Sequence, residues 1–349
     1  MSDTVDTIPA SLGFRFPAEW EPHVATWLTW PWPEGCSFPD NYDEAQKVYA
    51  NLIRTLAPHE AARVNVWDAE MESWVRDVLS GYDVPLDNVR FHHNPAYEPW
   101  CRDHGPIFLL NNAGEKSLVD WGYNAWGEKY PPWDKDNEVP QRISEELGVR
   151  RFDPHMILEG GSIETNGTGT LLTTESCLLN PNRNPEFSRD QIEAKLRDYL
   201  GVHTIHWLGD GIAGDDTDGH IDDLARFVAE DVIVTIVEED PADTNYAALQ
   251  DNLERLRSLR SREGNPYRIV ELPMPVARYL GELRLPTSYA NFYIANDIVI
   301  VPTFEDPNDA RAIELLQREF PSRKVLGLDS TELIIGQGSF HCITQQEPQ

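Results

Sequence analysis

Along this 349-residue chain the apolar positions fall into short paired runs, each pair split by a polar or glycine-bearing turn. Alternation of period two with such a break predicts a β-hairpin. "PIFLLNNAGEKSLVDWGYNAW" breaks at Asn112 to Gly114, and "SIETNGTGTLLTTES" at Asn166-Gly167. "LARFVAEDVIVTIVEE" breaks at Ala229 to Asp231, and "ANFYIANDIVIVPTF" at Asn296-Asp297. After each hairpin come a polar loop and a segment with helical spacing: "EVPQRISEELG", "FSRDQIEAKLRDYLG", "YAALQDNLERLRSLRS" and "DARAIELLQREFPS". Short strands such as "HTIHWL", "YRIVELP" and "KVLGL" lead onward. The repeating unit is hairpin, helix, strand.

A fifth unit is assembled across the termini. "HVATWLTWP" supplies a strand, "YDEAQKVYANLIRTLA" a helix and "ARVNVWD" the next strand, while the first strand of the hairpin is the tail, "SFHCITQQ". An extra helix and strand, "ESWVRDVLSGY" and "NVRFHH", fit before the next hairpin. Five units leave about seventy residues each, too many for a solenoid repeat and suited to radial blades. The expected class is α/β, a five-bladed propeller of pseudo-fivefold ββαβ repeats around a central site. An ordinary α/β sandwich is the alternative. The expected domain is single, residues 1–349, with 1–12 as a flexible tail.

Composition narrows the functional classes. With 40% hydrophobic residues the chain can bury a sizeable core, and no apolar run is long enough to cross a bilayer. The start lacks a secretory signal pattern, so a cytoplasmic protein is expected. Asp and Glu number 59 against 29 Lys and Arg, a formal charge of −30, which disfavours nucleic acid and anionic membrane as partners and favours a cationic small molecule. A homo-oligomer is left open. Cys36, Cys101, Cys177 and Cys342 show no C-x-x-C spacing, arguing for reduced thiols without a zinc site or disulfide framework.

Polar groups cluster where the hairpins begin: Asp103 in "WCRDHGP", Glu159 in "ILEGGSI", His220 and Asp222 in "DDTDGHIDDLARF", and His341 with Cys342 in the tail. The corresponding "SYANFY" is unremarkable in charge. Equivalent positions of a ring face one axis, so these groups are expected to meet. If His220 and Asp222 lie on a strand they share a face and Asp223 points away; on the same logic His341 faces opposite Cys342. "GDDTDGHIDD" fails the calcium-loop pattern, because Gly214 and Ala225 would fall at ligand positions one and twelve. One thiol, one imidazole and three carboxylates, with no metal or phosphate loop, suit a planar cation. A guanidinium offers two edges of N–H donors, and burying it demands compensating charge. Asp103 and Asp222 are the candidate clamps, Cys342 the nucleophile and His220 the acid and base, oriented by Glu159.

Together "FRFPAEWEPHVATWLTWP", "WCRDHGP", "DWGYNAWG", "LEGGSIETNGTGTLLTTESCLLNPNRNP", "DDTDGHIDD" and "GQGSFHCITQQEP" resemble the agmatine deiminase family, which includes bacterial-type peptidylarginine deiminases. The resemblance runs from about Phe14 to Pro348. It implies the pentein fold of the guanidine-modifying superfamily and hydrolysis of agmatine to N-carbamoylputrescine and ammonia, feeding polyamine synthesis, without cofactor or metal. It further implies Cys342 as a nucleophile forming an amidino-cysteine intermediate, His220 as acid and base with Glu159 as its partner, and Asp103 and Asp222 as guanidinium ligands. Trp100 is a candidate stacking wall. The chain departs from the family pattern at "GQGSF", at Asp223 where asparagine is usual, and in "WPEGCSFPDNYDEAQ". Deimination of peptidylarginine is the alternative activity; a non-catalytic cation-binding propeller and an amidinotransferase are the others.

Overall fold

The computed structural model describes residues 8–349. Its strands divide among five sheets of three or four strands and one two-stranded ribbon, Tyr279–Leu280 with Leu283–Arg284. The hairpin-helix-strand unit is visible in each larger sheet. Ala225–Ala229 pairs antiparallel with Val232–Val237, the helix Tyr246–Ser258 follows, and Arg268–Pro273 returns parallel to Val232–Val237. Tyr293–Ile294, Ile298–Thr303 and Lys324–Asp329 repeat the pattern around helix Asp309–Glu319, and Glu164–Thr165, Thr170–Thr174 and Thr204–Leu208 around Arg189–Leu200. In the sheet of Ile107–Asn111, Lys116–Val119 and Arg150–Phe152, the strand Phe14–Arg15 adds a further edge.

Local chemistry explains these elements. Ser188 caps Arg189–Leu200 in a reciprocal box with Gln191, and Ile192, Leu196 and Leu200 put one apolar stripe into the core. Every residue of Val232–Val237 is buried, as expected of a central strand covered on both faces. The Asn166-Gly167 turn closes its hairpin with Gly167 at φ 73° and the Asn166 side chain accepting from the Thr168 and Thr170 amides.

The fifth sheet joins the two ends of the chain, in the order Gln345–Pro348, His23–Thr29, Ala61–Val66, Val89–His93. The tail strand is shorter than expected: it begins at Gln345, and His341 and Cys342 lie in a tight turn ahead of it. That turn is closed by the Thr344 amide and hydroxyl, which donate to His341 O and Phe340 O. Of the tail expected over residues 1–12, residues 1–7 lie outside the described residues, while Pro9–Leu12 forms a 3₁₀ turn with Pro9 buried. Among the described residues no helix is long and apolar enough to cross a membrane.

Glu347 anchors the last strand. Its buried carboxylate accepts from Trp27 Nε1 at 2.9 Å and pairs with Arg63 at 3.2 Å and Lys116 at 2.8 Å, the lysine belonging to the neighbouring sheet. Removing one partner of such a cluster leaves the others uncompensated. Glu347→Ala is therefore expected to lower unfolding free energy by about 3 kcal/mol, read as a lower urea midpoint at unchanged slope.

Candidate active site

Each of the five sheets presents a polar residue just before its first strand. Asp103 precedes Ile107–Asn111, Glu159 precedes Glu164–Thr165, His220 and Asp222 precede Ala225–Ala229, Asn291 precedes Tyr293–Ile294, and Cys342 precedes Gln345–Pro348. Asp103 stands in the single turn Cys101–His104, and Gly160–Ser162 and Ile221–Asp223 are 3₁₀ turns. His220 is thus the cap of a turn, not a strand residue, and the period-two argument placing it on one face with Asp222 does not apply. The two groups still converge, through the turn rather than the pleat.

Gly161 marks the meeting point. A Cβ there would lie 2.5 Å from His220 Nδ1, 2.8 Å from Asp103 Oδ1 and 3.1 Å from Asp222 Oδ2, so only glycine allows these three groups to approach. The Gly161 amide donates to Asp103 Oδ1 at 3.0 Å, and Trp126 Nε1 to Asp103 Oδ2 at 3.0 Å. His220 Nδ1 lies 3.6 Å from Asp103 Oδ1. Cys342 Sγ is 3.8 Å from Asp222 Oδ2, and the same oxygen accepts from His341 Nδ1 at 2.7 Å. His341 and Cys342 therefore serve one carboxylate, contrary to the opposite faces expected of a strand; the tight turn removes the alternation.

Cys342, Asp103, Trp100 and Trp126 line a cleft with about 510 Å³ of empty space, together with Cys36, Ser37, Tyr130, Asp216, Thr217 and the segment Ile335 to Gly338. Trp100 forms a wall, its indole donating to Ser37 Oγ at 2.9 Å. Gly336 and Gly338 are small because of it: a Cβ on Gly338 would stand 2.3 Å from the Trp100 ring. Asp222, Glu159 and His220 lie behind the cleft wall and are buried.

Asn291 is the residue that charge-based reading passes over. Its Oδ1 accepts the His341 and Cys342 amides at 3.0 and 3.3 Å, and its Nδ2 donates to Cys342 Sγ and Asp223 Oδ1, both at 3.0 Å. Asp223 consequently does not point away from the site; it accepts from the same amide that donates to the Cys342 sulfur. Glu159 makes no hydrogen bond to His220. One of its oxygens binds Arg183 Nε at 2.7 Å, and Arg183 continues to Asp218 and Thr217 O. Arg102, next to Asp103 in sequence, clasps the tail through Gln346 Oε1 and His341 O and forms an ion pair with Glu19. The aspartates of "DDTDGH" are likewise absorbed: Asp215 accepts the Thr217, Gly219 and His220 amides, and Asp216 accepts the Tyr130 hydroxyl.

The electrostatics follow from burying several anions together. Burial, then the Asp222, Asp223 and Asp103 carboxylates, push the Cys342 thiol well above its ordinary range. Burial raises Asp103 to about 6, with Asp222 and Glu159 adding to the shift and His220 opposing it. Burial alone would lower His220, but Asp103 chiefly, with Cys177 and Asp222, raises it well above its usual value. Burial opposes ionisation of Asp222, yet the His341 hydrogen bond and charge hold it below the ordinary aspartate value.

Four buried atoms here have no hydrogen-bond partner among the described residues: Asp222 Oδ1, Glu159 Oε2 and both His220 nitrogens. Orphaned polar atoms are rare in native interiors and call for a reason. A ligand rich in N–H donors and positively charged would satisfy the carboxylates. Glu159, Cys177 and His220 also bring three ligand-type atoms within 4.8 Å of one another. A metal ion fits this trio poorly, because Arg183 already offsets Glu159 and neighbouring carboxylates hold the proton on His220.

Residues 15–348 match the model of the Porphyromonas-type peptidyl-arginine deiminase family. The chain is 37% identical over 372 residues to the agmatine deiminase of Ectopseudomonas mendocina, covering 99% of this chain and 98% of that protein. The solved agmatine deiminase of Enterococcus faecalis superposes with a TM-score of 0.92 at 35% identity over 100% of both chains. A C. jejuni agmatine deiminase variant solved with substrate bound gives 0.88 at 31%, over 96% of each. Likeness of this extent in sequence and in structure, over the whole site just described, leads to one assignment: the chain belongs to the Porphyromonas-type peptidyl-arginine deiminase family.

Proposed function

We propose that this protein is a hydrolase that deiminates agmatine to N-carbamoylputrescine and ammonia through a covalent amidino-cysteine. The observation that carries this reading is the convergence of a nucleophile-type thiol, Cys342, with Asp222, whose Oδ1 is unpartnered, and with Asp103 in the same cleft, where His220 approaches Asp103 to 3.6 Å. Asp103 and Asp222 clamp the guanidinium edges, and Trp100 bounds its path. The substrate's positive charge offsets the carboxylates that hold the Cys342 proton, so the thiol gives that proton to solvent and the thiolate forms once the substrate is seated. Sγ attacks the central guanidinium carbon, and protonated His220 delivers its proton to the departing nitrogen, which leaves as ammonia. His220, now neutral, takes a proton from water as the oxygen adds to that carbon. The C–S bond then breaks, the hydroxyl proton passes to the departing sulfur, and the thiol and ureido product separate. Glu159, tied to Arg183, supports the imidazolium from behind rather than by a direct hydrogen bond in the free site.

The cleft supports agmatine over arginine. Its lining contains Asp216 and Asp103 and no Lys, Arg or His, so a distal ammonium meets an anion there and an α-carboxylate meets a like charge. The same reading makes the five ββαβ sheets the blades of one closed pentein domain, with the ribbon outside. What supports it is the placement of a site residue ahead of the first strand in every sheet. It also places the chain in the cytoplasm, where four scattered thiols stay reduced.

Four outcomes are expected. Wild-type protein releases ammonia from agmatine faster than from an arginine peptide or free arginine, and Cys342→Ala releases none. Mass spectrometry of the quenched wild type finds an amidino adduct on the tail peptide; an adduct elsewhere, or turnover by Cys342→Ala, overturns the mechanism. Asp216→Asn raises the agmatine KM about tenfold and narrows the preference over arginine. Asp103→Asn has opposite effects on two readouts: removing a nearby negative charge lowers the Cys342 pKa, so iodoacetamide alkylation at pH 8 quickens about tenfold while agmatine turnover falls. Parallel losses in both would show a merely disordered site.

A further inference from the structure

Behind the site runs a buried chain of charges that the reaction itself does not use. Glu19, from the "FPAEWEP" loop, receives His341 Nε2 on Oε2 at 2.8 Å and the Ile294 amide on Oε1 at 2.7 Å. The same carboxylate forms ion pairs with Arg226 at 3.0 Å and Arg102 at 3.3 Å. His341 Nδ1 faces Asp222 Oδ2 at 2.7 Å, so the imidazole bridges two carboxylates and is almost completely buried. Asp222 thereby has one oxygen committed to His341 and the other, Oδ1, without a protein partner. An imidazole held at both nitrogens cannot rotate, and it fixes the plane of the carboxylate it touches.

We infer that Glu19 and His341 form a positioning pair, which holds Asp222 ionised and turned so that its free Oδ1 meets a guanidinium N–H. This rests on the proposed deimination for the identity of the ligand, not for the geometry of the pair. Arg226 and Arg102 keep Glu19 anionic, Glu19 fixes His341, and His341 directs Asp222. The groups acting on Asp222 are His341 from the tail turn, His220 and Asp223 from its own turn, Asp103 from Cys101–His104, Arg226 from Ala225–Ala229 and the Cys342 thiol. Among them only His341 hydrogen-bonds an Asp222 carboxylate oxygen at short range. Neither Glu19 nor His341 lines the cleft.

The test compares His341→Leu, His341→Asn and Glu19→Gln with wild type, using agmatine kinetics and calorimetric binding of agmatine in the Cys342→Ser background. His341→Leu is expected to raise KM and Kd about tenfold or more, with a smaller loss in kcat. Its acid limb of kcat/KM moves to higher pH, because Asp222 without the donated proton is protonated more readily. His341→Asn places an amide N–H near Asp222 and restores most of the affinity. Glu19→Gln moves KM and the acid limb in the same direction by less, and serves alone should His341→Leu not fold. Folded variants with lower thermal stability but unchanged KM, Kd and acid limb would overturn the inference, leaving a packing role only. A wild type inactive on agmatine would instead count against the proposed reaction, and the pair is then read by guanidinium-ion binding to the same variants.

Discussion

Three carboxylates, Asp103, Asp222 and Asp223, act on one buried thiol, with a fourth, Glu159, buried beside His220, and the rest of the structure is arranged to make that tolerable. Removing an ion from water costs several kcal/mol even after relaxation, and like charges in the same low-polarity space add to it. Each anion accordingly receives its own fixed donor: Arg183 for Glu159, His341 for Asp222, Asn291 for Asp223, and the Trp126 indole with the Gly161 amide for Asp103. The compensation is incomplete by design of the donor set. Asp222 keeps a free oxygen, Asp103 is drawn toward protonation, and the thiol is held in its neutral form. A site in this condition is at its best only with a cation inside it, and stability withheld from the free protein becomes affinity for the ligand.

No single sheet can supply such a cluster, since a strand pair presents neighbouring side chains at fixed spacings. Five short first strands, each entered from a turn, can. The residues ahead of Ile107, Glu164, Ala225, Tyr293 and Gln345 are free of ladder geometry, so turns aim them individually, while the strands behind them are locked by pairing. Chain closure is part of the same device. Cys342 is carried by the segment between the last helix and a strand that pairs with His23–Thr29, and Arg102 clasps that segment from the Asp103 turn.

What was legible in the sequence and what was not divide along this line. The hairpins, their Asn-Gly and Asn-Asp breaks and the amphipathic helices follow from periods of two and 3.6, and they stand where the pattern places them. Turns carry no period. That is why period two predicts strand faces that His220 with Asp222, and His341 with Cys342, do not occupy, and why it predicts a tail strand that begins earlier than Gln345. Asn291 left no trace in a search for charge, because its contribution is an amide that donates and accepts at once. Glu19 looked like any acidic loop residue; its partners lie in Arg102, Arg226, Ile294 and His341, distant in sequence, and only the folded chain brings them together.

Two buried cysteines, Cys101 and Cys342, show how surroundings rather than burial set one thiol apart. Burial raises both Cys101, to about 12, and Cys342, so neither is a thiolate in the free protein at neutral pH. The other contributions differ. For Cys101 the next are a lowering hydrogen bond from Thr29 and the lowering charge of Arg102, with Asp103 raising it last of all, so its shift is mainly a property of the core. For Cys342 they are three aspartates, two of which face the expected guanidinium. A cation placed between Asp103 and Asp222 cancels the field that retains the Cys342 proton and does nothing to the packing around Cys101. In the proposed reaction, reactivity is thereby conferred on one sulfur, and only while a positively charged ligand occupies the site.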